Sequence, residues 1–401
     1  MPDRLAAIFA THEKTAMTDA VYITDHFDSG NIRVIDSSDP SNVRLAIKHD
    51  NESEFYQWFH FKVHASAMRE YRFIIENAAG SAYVDGWQDY QAVASYDRDE
   101  WFRVPTTYEN GQLVINHIHE QEVIYYAYFA PYSYERHQDL LQACQESPLC
   151  TLNHLGQTLD GRDMTVAVIN RSDGPEVENT KRPVWIIARQ HPGESMAEWL
   201  IEGLLMRLLD DTDPVASAIL NEATVYVVPN MNPDGSVRGH LRTNAVGSNL
   251  NREWLTPTRE KSPEVLLVRD MMEQTGVELF LDIHGDEAIP YNFLAGCEGI
   301  PSYDDEHHAK QSYFIEQFLL ASPDFQTQHG YPEDEPGKAN LSMATTWVGE
   351  RFKCVSFTLE MPFKDNLDLP DPDYGWSPER CAHLGEALCQ PVLKSLQKHN
   401  K

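Results

Sequence analysis

The chain has 401 residues, of which 42% are hydrophobic and 10% aromatic, so it can bury a large core and is not a disordered protein. Its length allows about two domains. There are 32 Lys and Arg residues against 62 Asp and Glu residues, and the formal net charge is -30. This charge argues against general binding to nucleic acid or to anionic membrane surfaces.

The cysteines and the apolar runs indicate the compartment. None of the six cysteines lies in a Cys-x-x-Cys pair, and their sparse spacing is typical of reduced thiols in the cytosol. No apolar run approaches the roughly 20 residues that span a bilayer. The N-terminal residues show no signal-peptide pattern. We therefore expect a cytoplasmic protein without a membrane partner, while the sequence does not indicate its oligomeric state.

The first third of the chain predicts an all-β sandwich. Short runs rich in aromatic and β-branched residues are separated by turn-forming stretches, with no long helical pattern between them. The predicted strands are Tyr56–His64, Tyr71–Glu76, Ala92–Tyr96, Leu113–His119 and Val123–Phe129. His117 and His119 lie on one face of their strand, and without a nearby third ligand we interpret them as structural residues.

The composition changes near Pro131, where predicted strands begin to alternate with helices. We predict a β-sandwich domain over residues 1–130 and a second domain over residues 131–401. Helices are predicted at Tyr134–Cys144 and Ser195–Leu209, and strands at Leu152–Leu155, Met164–Asn170, Val184–Ala188, Thr224–Val228, Glu278–Ile283 and Cys354–Leu359. This alternation predicts an α/β domain with a mixed or parallel sheet, whose functional sites lie beyond the strand ends.

Candidate metal ligands lie at two of these strand ends. His191 and Glu194 follow the strand that ends at Ala188, and His284 follows the strand that ends at Ile283. Two histidines and a glutamate with an open fourth position form the ligand set of a catalytic zinc ion, which activates water. A His-x-x-Glu pair alone recurs by chance, so the third ligand from a separate strand strengthens the prediction.

Two arginines and an asparagine, Arg242, Asn251 and Arg252, fall between the predicted ligands in the sequence. Guanidinium groups and an amide together bind a carboxylate through several hydrogen bonds, so this group predicts an anion site. Glu360 ends an apolar strand, and a buried glutamate is uncommon unless it is paired or catalytic. A structural salt bridge is the alternative, but beside a metal-activated water Glu360 can act as general base and acid.

The order of the motifs resembles the zinc metallocarboxypeptidase family. The motifs are His-Pro-Gly-Glu at 191–194, Asn-Pro-Asp-Gly at 232–235, Asn-Arg at 251–252, His-Gly at 284–285 and Thr-Leu-Glu at 358–360. Within the family, the runs at 56–59, 101–106 and 129–134 resemble the N-terminal signatures of the cytosolic carboxypeptidases. The resemblance implies an α/β fold, a carboxypeptidase-like mixed sheet flanked by helices, preceded by an all-β sandwich.

The resemblance also implies a role for each candidate residue. The implied ligands, for one zinc ion per chain, are His191, Glu194 and His284. Arg242 would polarise the scissile carbonyl, and Glu360 would be the general base and acid. Asn251 and Arg252 would bind the C-terminal carboxylate of a peptide or protein substrate.

Three positions depart from the pattern of the family. Thr345 lies where relatives that trim acidic tails have an arginine, so selectivity for acidic residues is either lost or served by another cation. The candidate cations are Lys338, Arg351 and Lys353. Asn249 replaces an aspartate that would orient a zinc-bound histidine. In classical members of the family a tyrosine closes over the substrate, and the candidates for that residue here are Tyr291 and Tyr331.

Three functions remain open. The first is a zinc carboxypeptidase that removes single C-terminal residues, with acidic residues as one candidate specificity. The second is a zinc amidohydrolase that deacylates a small acidic amino acid, and the third is a non-catalytic binding protein on the same fold. The N-terminal β-domain and the Asn251–Arg252 pair favour a peptide substrate, and the complete ligand set argues against the third function.

Overall fold

The computed structural model describes residues 21–171 and 181–398. In the N-terminal part, short strands form two five-stranded sheets. The strands are β1 (Tyr22–Thr24), β2 (Arg33–Asp36), β3 (Val43–Ala46), β4 (His60–His64), β5 (Glu70–Ile75), β6 (Val93–Ser95), β7 (Phe102–Arg103), β8 (Thr106–Glu109), β9 (Gln112–Ile118) and β10 (Val123–Ala127). One sheet has the order β1-β4-β10-β6-β7 and the other has the order β2-β3-β5-β9-β8.

The two sheets bury aromatic side chains between them. Phe61 of β4 and Phe73 of β5 belong to different sheets, and their ring centroids lie 5.9 Å apart. Both side chains are fully buried, because successive residues of a strand point to opposite faces and the aromatic ones face inward. The predicted all-β sandwich is therefore confirmed. His117 bonds through Nδ1 to the hydroxyl of Tyr126, 2.9 Å away, which fits its structural interpretation.

The rest of the chain builds one mixed sheet of seven strands in the order β11-β12-β14-β13-β15-β17-β16. The strands are β11 (Cys150–Gln157), β12 (Asp163–Ile169), β13 (Arg182–Ala188), β14 (Ala223–Val228), β15 (Leu279–Asp286), β16 (Phe293–Ala295) and β17 (Val355–Pro362). The central strands β14, β13, β15 and β17 are parallel, and β11, β12 and β16 pair antiparallel to their neighbours.

Helices cover both faces of this sheet. They are α1 (Tyr134–Glu146), α2 (Met196–Leu208), α3 (Pro214–Glu222), α4 (Pro233–Arg238), α5 (Pro263–Thr275), α6 (Asp305–Ala321), α7 (Ala344–Phe352) and α8 (Pro378–Lys398). Val184 and Ile186 of β13 face the cluster formed with α2, α3, α6 and α8. The alternate residues Trp185 and Ile187 face the cluster formed with α5 and α7. The continuous apolar run of β13 thus reflects a strand that is buried on both faces.

The larger core cluster extends from the sandwich into the mixed sheet without a break. At the junction, the carbonyl oxygen of Ala130 accepts hydrogen bonds from Ser195 Oγ at 2.9 Å and Trp199 Nε1 at 3.1 Å. The two sheet systems therefore pack as one body, and the division into residues 1–130 and 131–401 stays a prediction.

One predicted strand is wrong at its start. The run from Tyr56 is strand-like in composition, yet β4 begins only at His60. The side chain of Gln57 explains the difference, because it bonds the main-chain nitrogen and oxygen of Tyr83 at 2.8 and 3.0 Å and takes the place of a neighbouring strand.

The described ranges contain no helix that is long and apolar enough to cross a membrane. The predicted lack of a signal peptide concerns the first 20 residues, which lie outside those ranges.

Candidate active site

The predicted ligands and the predicted base meet at the ends of three parallel strands. His191 and Glu194 follow β13, His284 lies near the end of β15, and Glu360 lies near the end of β17. The register of β15 and β17 pairs His284 directly with Glu360. Parallel strands bring their carboxyl ends to one edge of a sheet, so residues far apart in sequence share one site. All of these side chains are buried.

The loop after β13 depends on Gly193. Its main-chain nitrogen donates to the carbonyl oxygen of Leu241 at 2.9 Å, and a Cβ atom on residue 193 would lie only 3.0 Å from that oxygen. The His-Pro-Gly-Glu turn can therefore pack closely against the segment that carries Arg242. This packing links the metal-ligand loop to the predicted anion site.

His191, Glu194 and His284 form the one group in the described part of the chain whose ligand atoms are close enough for a metal ion, within 4.8 Å of one another. The Nδ1 atoms of His191 and His284 lie 2.7 Å from Glu194 Oε1 and Oε2, respectively. The two Nδ1 atoms are 3.1 Å apart. The three side chains thus point their potential ligand atoms at a common position.

The contacts of the two histidine Nε2 atoms indicate that the position between His191, Glu194 and His284 suits a cation. His191 Nε2 lies 3.1 Å from Asn249 Oδ1, and His284 Nε2 lies 2.9 Å from Asp282 Oδ2. Asn249 Oδ1 and Asp282 Oδ2 are placed to accept the Nε2 protons, an arrangement that leaves both Nδ1 atoms available to a cation held with Glu194. Burial, together with the nearby Arg242 charge, lowers the pKa of His191 to about 3, which keeps this imidazole neutral. Three converging lone-pair donors fit zinc, and the outer partners fix the orientation of the rings.

The sequence prediction missed Asp282. It lies two residues before His284 on β15 and therefore on the same face of the strand. Gln190 Nε2 donates to Asp282 Oδ2 at 2.7 Å, so the carboxylate is itself held in place. An acidic residue two positions from a strand-borne ligand was a usable signal. Asn249, which replaces the aspartate of the family pattern, supplies the equivalent acceptor to His191.

Glu360 faces the cavity beside the ligands. Its Oε1 atom lies 3.3 Å from the hydroxyl of Tyr331, and within the described residues its Oε2 atom has no hydrogen-bond partner. Burial, together with the Glu194 and Asp286 charges, raises the pKa of Glu360 to about 8. A free carboxylate oxygen close to the ligand set is the arrangement expected of a proton acceptor.

The structure separates the two candidate tyrosines. Tyr331 donates from its hydroxyl to Asp286 Oδ2 at 2.6 Å and lines the same cavity as Glu360. Tyr291 stacks on the ring of His329, with centroids 4.1 Å apart, and lines a different surface depression. Tyr331 is therefore the tyrosine at the site.

The predicted anion-binding residues line the same cavity, which has a volume of about 1000 Å³. Arg252 donates to the carbonyl oxygen of Asn251 at 2.6 Å, and Asn251 Oδ1 accepts from the main-chain nitrogen of Ala344 at 2.8 Å. The side-chain nitrogen of Asn251 is thereby oriented as a donor. The structure thus brings Arg242, Asn251 and Arg252 together with the ligand set.

The N-terminal sandwich contributes directly to the position of Arg242. Asp50 Oδ2 accepts from the main-chain nitrogens of Arg242 and Thr243 at 2.8 and 2.9 Å and from Thr243 Oγ1 at 3.1 Å. Asp50 Oδ1 accepts from the main-chain nitrogen of Leu241 at 2.7 Å. The sequence prediction missed this residue, because nothing in its local pattern points to a loop 191 to 193 positions away.

Two aromatic rings of the N-terminal part flank the Arg242 guanidinium. Its central carbon lies 5.4 Å from the ring centroid of Tyr83 and 5.6 Å from that of Phe55. Aromatic faces attract a guanidinium at such distances. Tyr83 also lines the cavity, so the sandwich forms part of its wall.

Comparisons with known proteins agree with this geometry. The profile of the zinc carboxypeptidase family matches residues 137–380, and that of the cytosolic carboxypeptidase N-terminal domain matches residues 23–129. The chain belongs to the zinc carboxypeptidase family. It is a peptide hydrolase with the two-part organisation of the cytosolic carboxypeptidases.

Several proteins resemble this carboxypeptidase over nearly its whole length. An uncharacterized protein of Zymomonas mobilis, ZMO1242, is 48% identical over 92% of the chain and 95% of its own length. The crystal structure of a metallo-carboxypeptidase from Burkholderia cenocepacia is 49% identical, with a TM-score of 0.91, and covers 94% of this chain and 100% of its own. The metallo-carboxypeptidase from Pseudomonas aeruginosa, in complex with (2-guanidinoethylmercapto)succinic acid, is 45% identical with a TM-score of 0.90, at 94% and 100% coverage.

Mammalian relatives are more distant and longer. Cytosolic carboxypeptidase 3 of Bos taurus is 27% identical over 70% of this chain, which spans only 31% of that protein. Their substrates and partners therefore do not transfer to this carboxypeptidase.

None of the three candidate cations replaces the arginine that is missing at Thr345. Arg351 pairs with Glu273 at 2.6 Å on the surface, and neither Lys338 nor Lys353 lines the cavity of this carboxypeptidase. Thr345 itself lies in the cavity wall, where its hydroxyl is 2.7 Å from that of Thr358. The expected cationic position is thus occupied by a pair of hydroxyl groups.

Proposed function

We propose that this enzyme removes one residue at a time from the C-terminus of peptides or proteins. The observation that supports it most strongly is that a single cavity is lined by the metal-ligand group and by Arg242, Asn251 and Arg252, the residues of the predicted anion site. A site that holds a free carboxylate beside the hydrolytic centre positions only the last peptide bond for reaction.

Each side chain then has a defined task. Arg252 and the amide of Asn251 hold the terminal carboxylate. His191, Glu194 and His284 would hold a zinc ion, which would supply the Lewis acidity that activates water and polarises the carbonyl. Arg242 stabilises the negative charge that develops on the carbonyl oxygen. Glu360 takes the proton of the attacking water and returns it to the leaving amine.

We expect one zinc ion per chain. Metal analysis of the purified enzyme should find a 1:1 ratio, and His284→Ala should retain about a tenth of the zinc or less, since it removes one of three protein ligands. His154→Ala is the matched control, because His154 is an exposed surface histidine paired with Asp163. Full zinc retention in His284→Ala would contradict the assigned ligand set.

The proposed activity is tested with peptides that differ only at the C-terminal group. Mass spectrometry of a peptide library should show loss of single C-terminal residues. Amidated versions should react at least about 30-fold more slowly, because they leave the Arg252 guanidinium without its charged partner. Comparable rates on free and amidated peptides would exclude an exopeptidase.

The same experiment separates the alternative functions. Cleavage of N-acyl acidic amino acids, with no peptide cleavage, would identify a small-molecule amidohydrolase. Activity on neither substrate class, with zinc bound, would indicate a binding protein. The cavity favours peptides, because about 1000 Å³ is at the upper end of the range for small-molecule sites.

The cavity gives little support to a preference for acidic C-terminal residues. Such a preference would need a further cation in the side-chain pocket, and the only arginines or lysines lining the described cavity are Arg242 and Arg252. The related Pseudomonas aeruginosa enzyme binds (2-guanidinoethylmercapto)succinic acid. That compound combines carboxylates with a guanidino group, as a C-terminal arginine does.

We also infer that the enzyme acts in the cytoplasm. All six cysteines are buried free thiols. Reduced thiols persist in the cytosol, whereas oxidising compartments favour disulfides. Fluorescence microscopy or fractionation of the tagged full-length protein would test this location.

A further inference from the structure

The loop that carries Tyr331 is held at the edge of the reaction centre by a buried glutamine. The Oε1 atom of Gln326 accepts hydrogen bonds from the main-chain nitrogens of Gln328 and His329, both at 2.7 Å. Its Nε2 atom donates to the carbonyl oxygens of Asn292 and His329 at 3.0 and 2.9 Å. The turn before Tyr331 is therefore tied to the residue that precedes β16.

The ring of Tyr331 packs against a neighbour of Glu360. Its centroid lies 4.9 Å from that of Phe293, and the two rings meet edge to face. Glu360 of β17 pairs in register with Phe293 of β16 on one side and with His284 of β15 on the other. Directly paired residues point to the same face of a sheet, so the three side chains lie together. This packing places the Tyr331 hydroxyl 3.3 Å from Glu360 Oε1.

Asp286 anchors the Tyr331 hydroxyl. It ends β15 two residues after His284, so both side chains lie on the same face of the strand. Asp286 Oδ1 accepts from the main-chain nitrogens of Ala288 and Ile289 at 2.8 and 2.5 Å. These two bonds orient the carboxylate, and Oδ2 is then the oxygen that accepts from Tyr331 at 2.6 Å.

The direction of this hydrogen bond decides what Tyr331 offers to a substrate. A phenol has one proton, and it goes to Asp286 Oδ2, because that contact of 2.6 Å is shorter than the 3.3 Å to Glu360 Oε1. The lone pairs of the phenol oxygen are left to face the cavity beside the Glu360 carboxylate. Two acceptor oxygens 3.3 Å apart with no proton between them together suit an N–H group of a substrate.

We propose that Asp286 is a positioning residue which, by taking the phenolic proton, makes Tyr331 the hydrogen-bond acceptor for the N–H group of the scissile amide. This inference rests on the proposed carboxypeptidase activity. In the reaction Glu360 returns its proton to that nitrogen, the carbon–nitrogen bond breaks and the amine leaves. The Tyr331 oxygen holds the N–H proton already present, so that the nitrogen lone pair faces Glu360. The phenol itself neither gains nor loses a proton.

The test compares an amide with an ester. The two substrates are a peptide and its analogue in which an ester oxygen replaces the scissile N–H group, and the parent enzyme should cleave both. Tyr331→Phe should lower kcat/KM for the peptide by about tenfold or more and change that for the ester by less than about threefold. Because both substrates need Glu360 to activate the water, a change at Glu360 alone would alter both rates together. Tyr331 is 46% exposed, so loss of its hydroxyl should leave the fold intact.

Asp286→Asn should lower the peptide-to-ester ratio of kcat/KM by about tenfold through a different route. The main-chain nitrogens of Ala288 and Ile289 keep the amide oxygen, so the amide nitrogen faces Tyr331 and donates to it. The released phenolic proton then turns into the cavity and fills the position of the substrate N–H group. Added to Tyr331→Phe, Asp286→Asn should change the ratio by less than about threefold, as expected of a residue that acts through Tyr331.

Glu333→Gln is the matched control, because Glu333 is an exposed carboxylate two residues after Tyr331 that lines the same cavity. It should keep the parent ratio. A parent-like ratio in Tyr331→Phe or in Asp286→Asn would overturn the inference and leave the carboxypeptidase activity standing. A further loss of the ratio in the double variant would overturn it as well. If the parent enzyme cleaves neither substrate, the proposed function and this inference both fail.

Discussion

Glu360→Gln is expected to lower kcat by at least about a thousandfold while zinc content and thermal stability stay close to those of the parent. The substitution keeps the shape of the side chain and removes its ability to take a proton. Glu360 is not a member of the ligand group, and its Oε2 atom has no partner among the described residues, so no structural contact of that atom is lost. Steady-state kinetics on a cleaved peptide, together with metal analysis, measure both outcomes.

Glu316→Gln is the control for this substitution. Glu316 lines the same cavity from the exposed side of α6, so its loss changes the local charge equally without touching the reaction centre. We expect its kcat to remain within about threefold of the parent value. If Glu360→Gln keeps more than about a tenth of the parent kcat, Glu360 is not the general base.

The sequence predicts the metal-binding part of the site well because its signals are local. His191 and Glu194 are separated by a single turn after a recognisable apolar strand, and His284 and Glu360 end two further apolar strands. In a parallel sheet such strand ends meet at one edge, so their proximity follows from the fold class. The register that pairs His284 with Glu360 agrees with that expectation.

Residues brought in by tertiary packing could not be predicted in this way. Asp50 and Tyr83 come from the sandwich, and no periodicity or motif links them to Arg242. The choice of Tyr331 over Tyr291 likewise depends on the path of the loop before α7 and not on sequence spacing. The roles of the site residues and the domain boundary at residue 130 stay predictions, which the experiments above and below address.

Asp50→Asn is expected to lower kcat by about 100-fold with less than about a threefold change in KM. The buried Asp50 carboxylate accepts four hydrogen bonds from residues 241–243. An asparagine offers one acceptor oxygen and turns its amide protons towards main-chain donors. Hydrogen bonds to charged groups each contribute about 1.5–3 kcal/mol, so the loop should shift and misplace the Arg242 guanidinium. The loss should appear in kcat because Arg242 acts on the charge formed in the transition state.

A positioning role for Asp50 predicts a result in a double variant that a general loss of stability does not predict. If Asp50 acts through Arg242, adding Asp50→Asn to Arg242→Ala should lower kcat by less than about threefold, since the guanidinium it positions is already absent. Asp25→Asn is the matched control, because Asp25 accepts a main-chain hydrogen bond from Ile32 at 2.9 Å within the sandwich and pairs with Lys48 on the surface. It should reduce the melting temperature and leave kcat unchanged. Full additivity of Asp50→Asn with Arg242→Ala would show instead that the sandwich supports the catalytic part only by stabilising its fold.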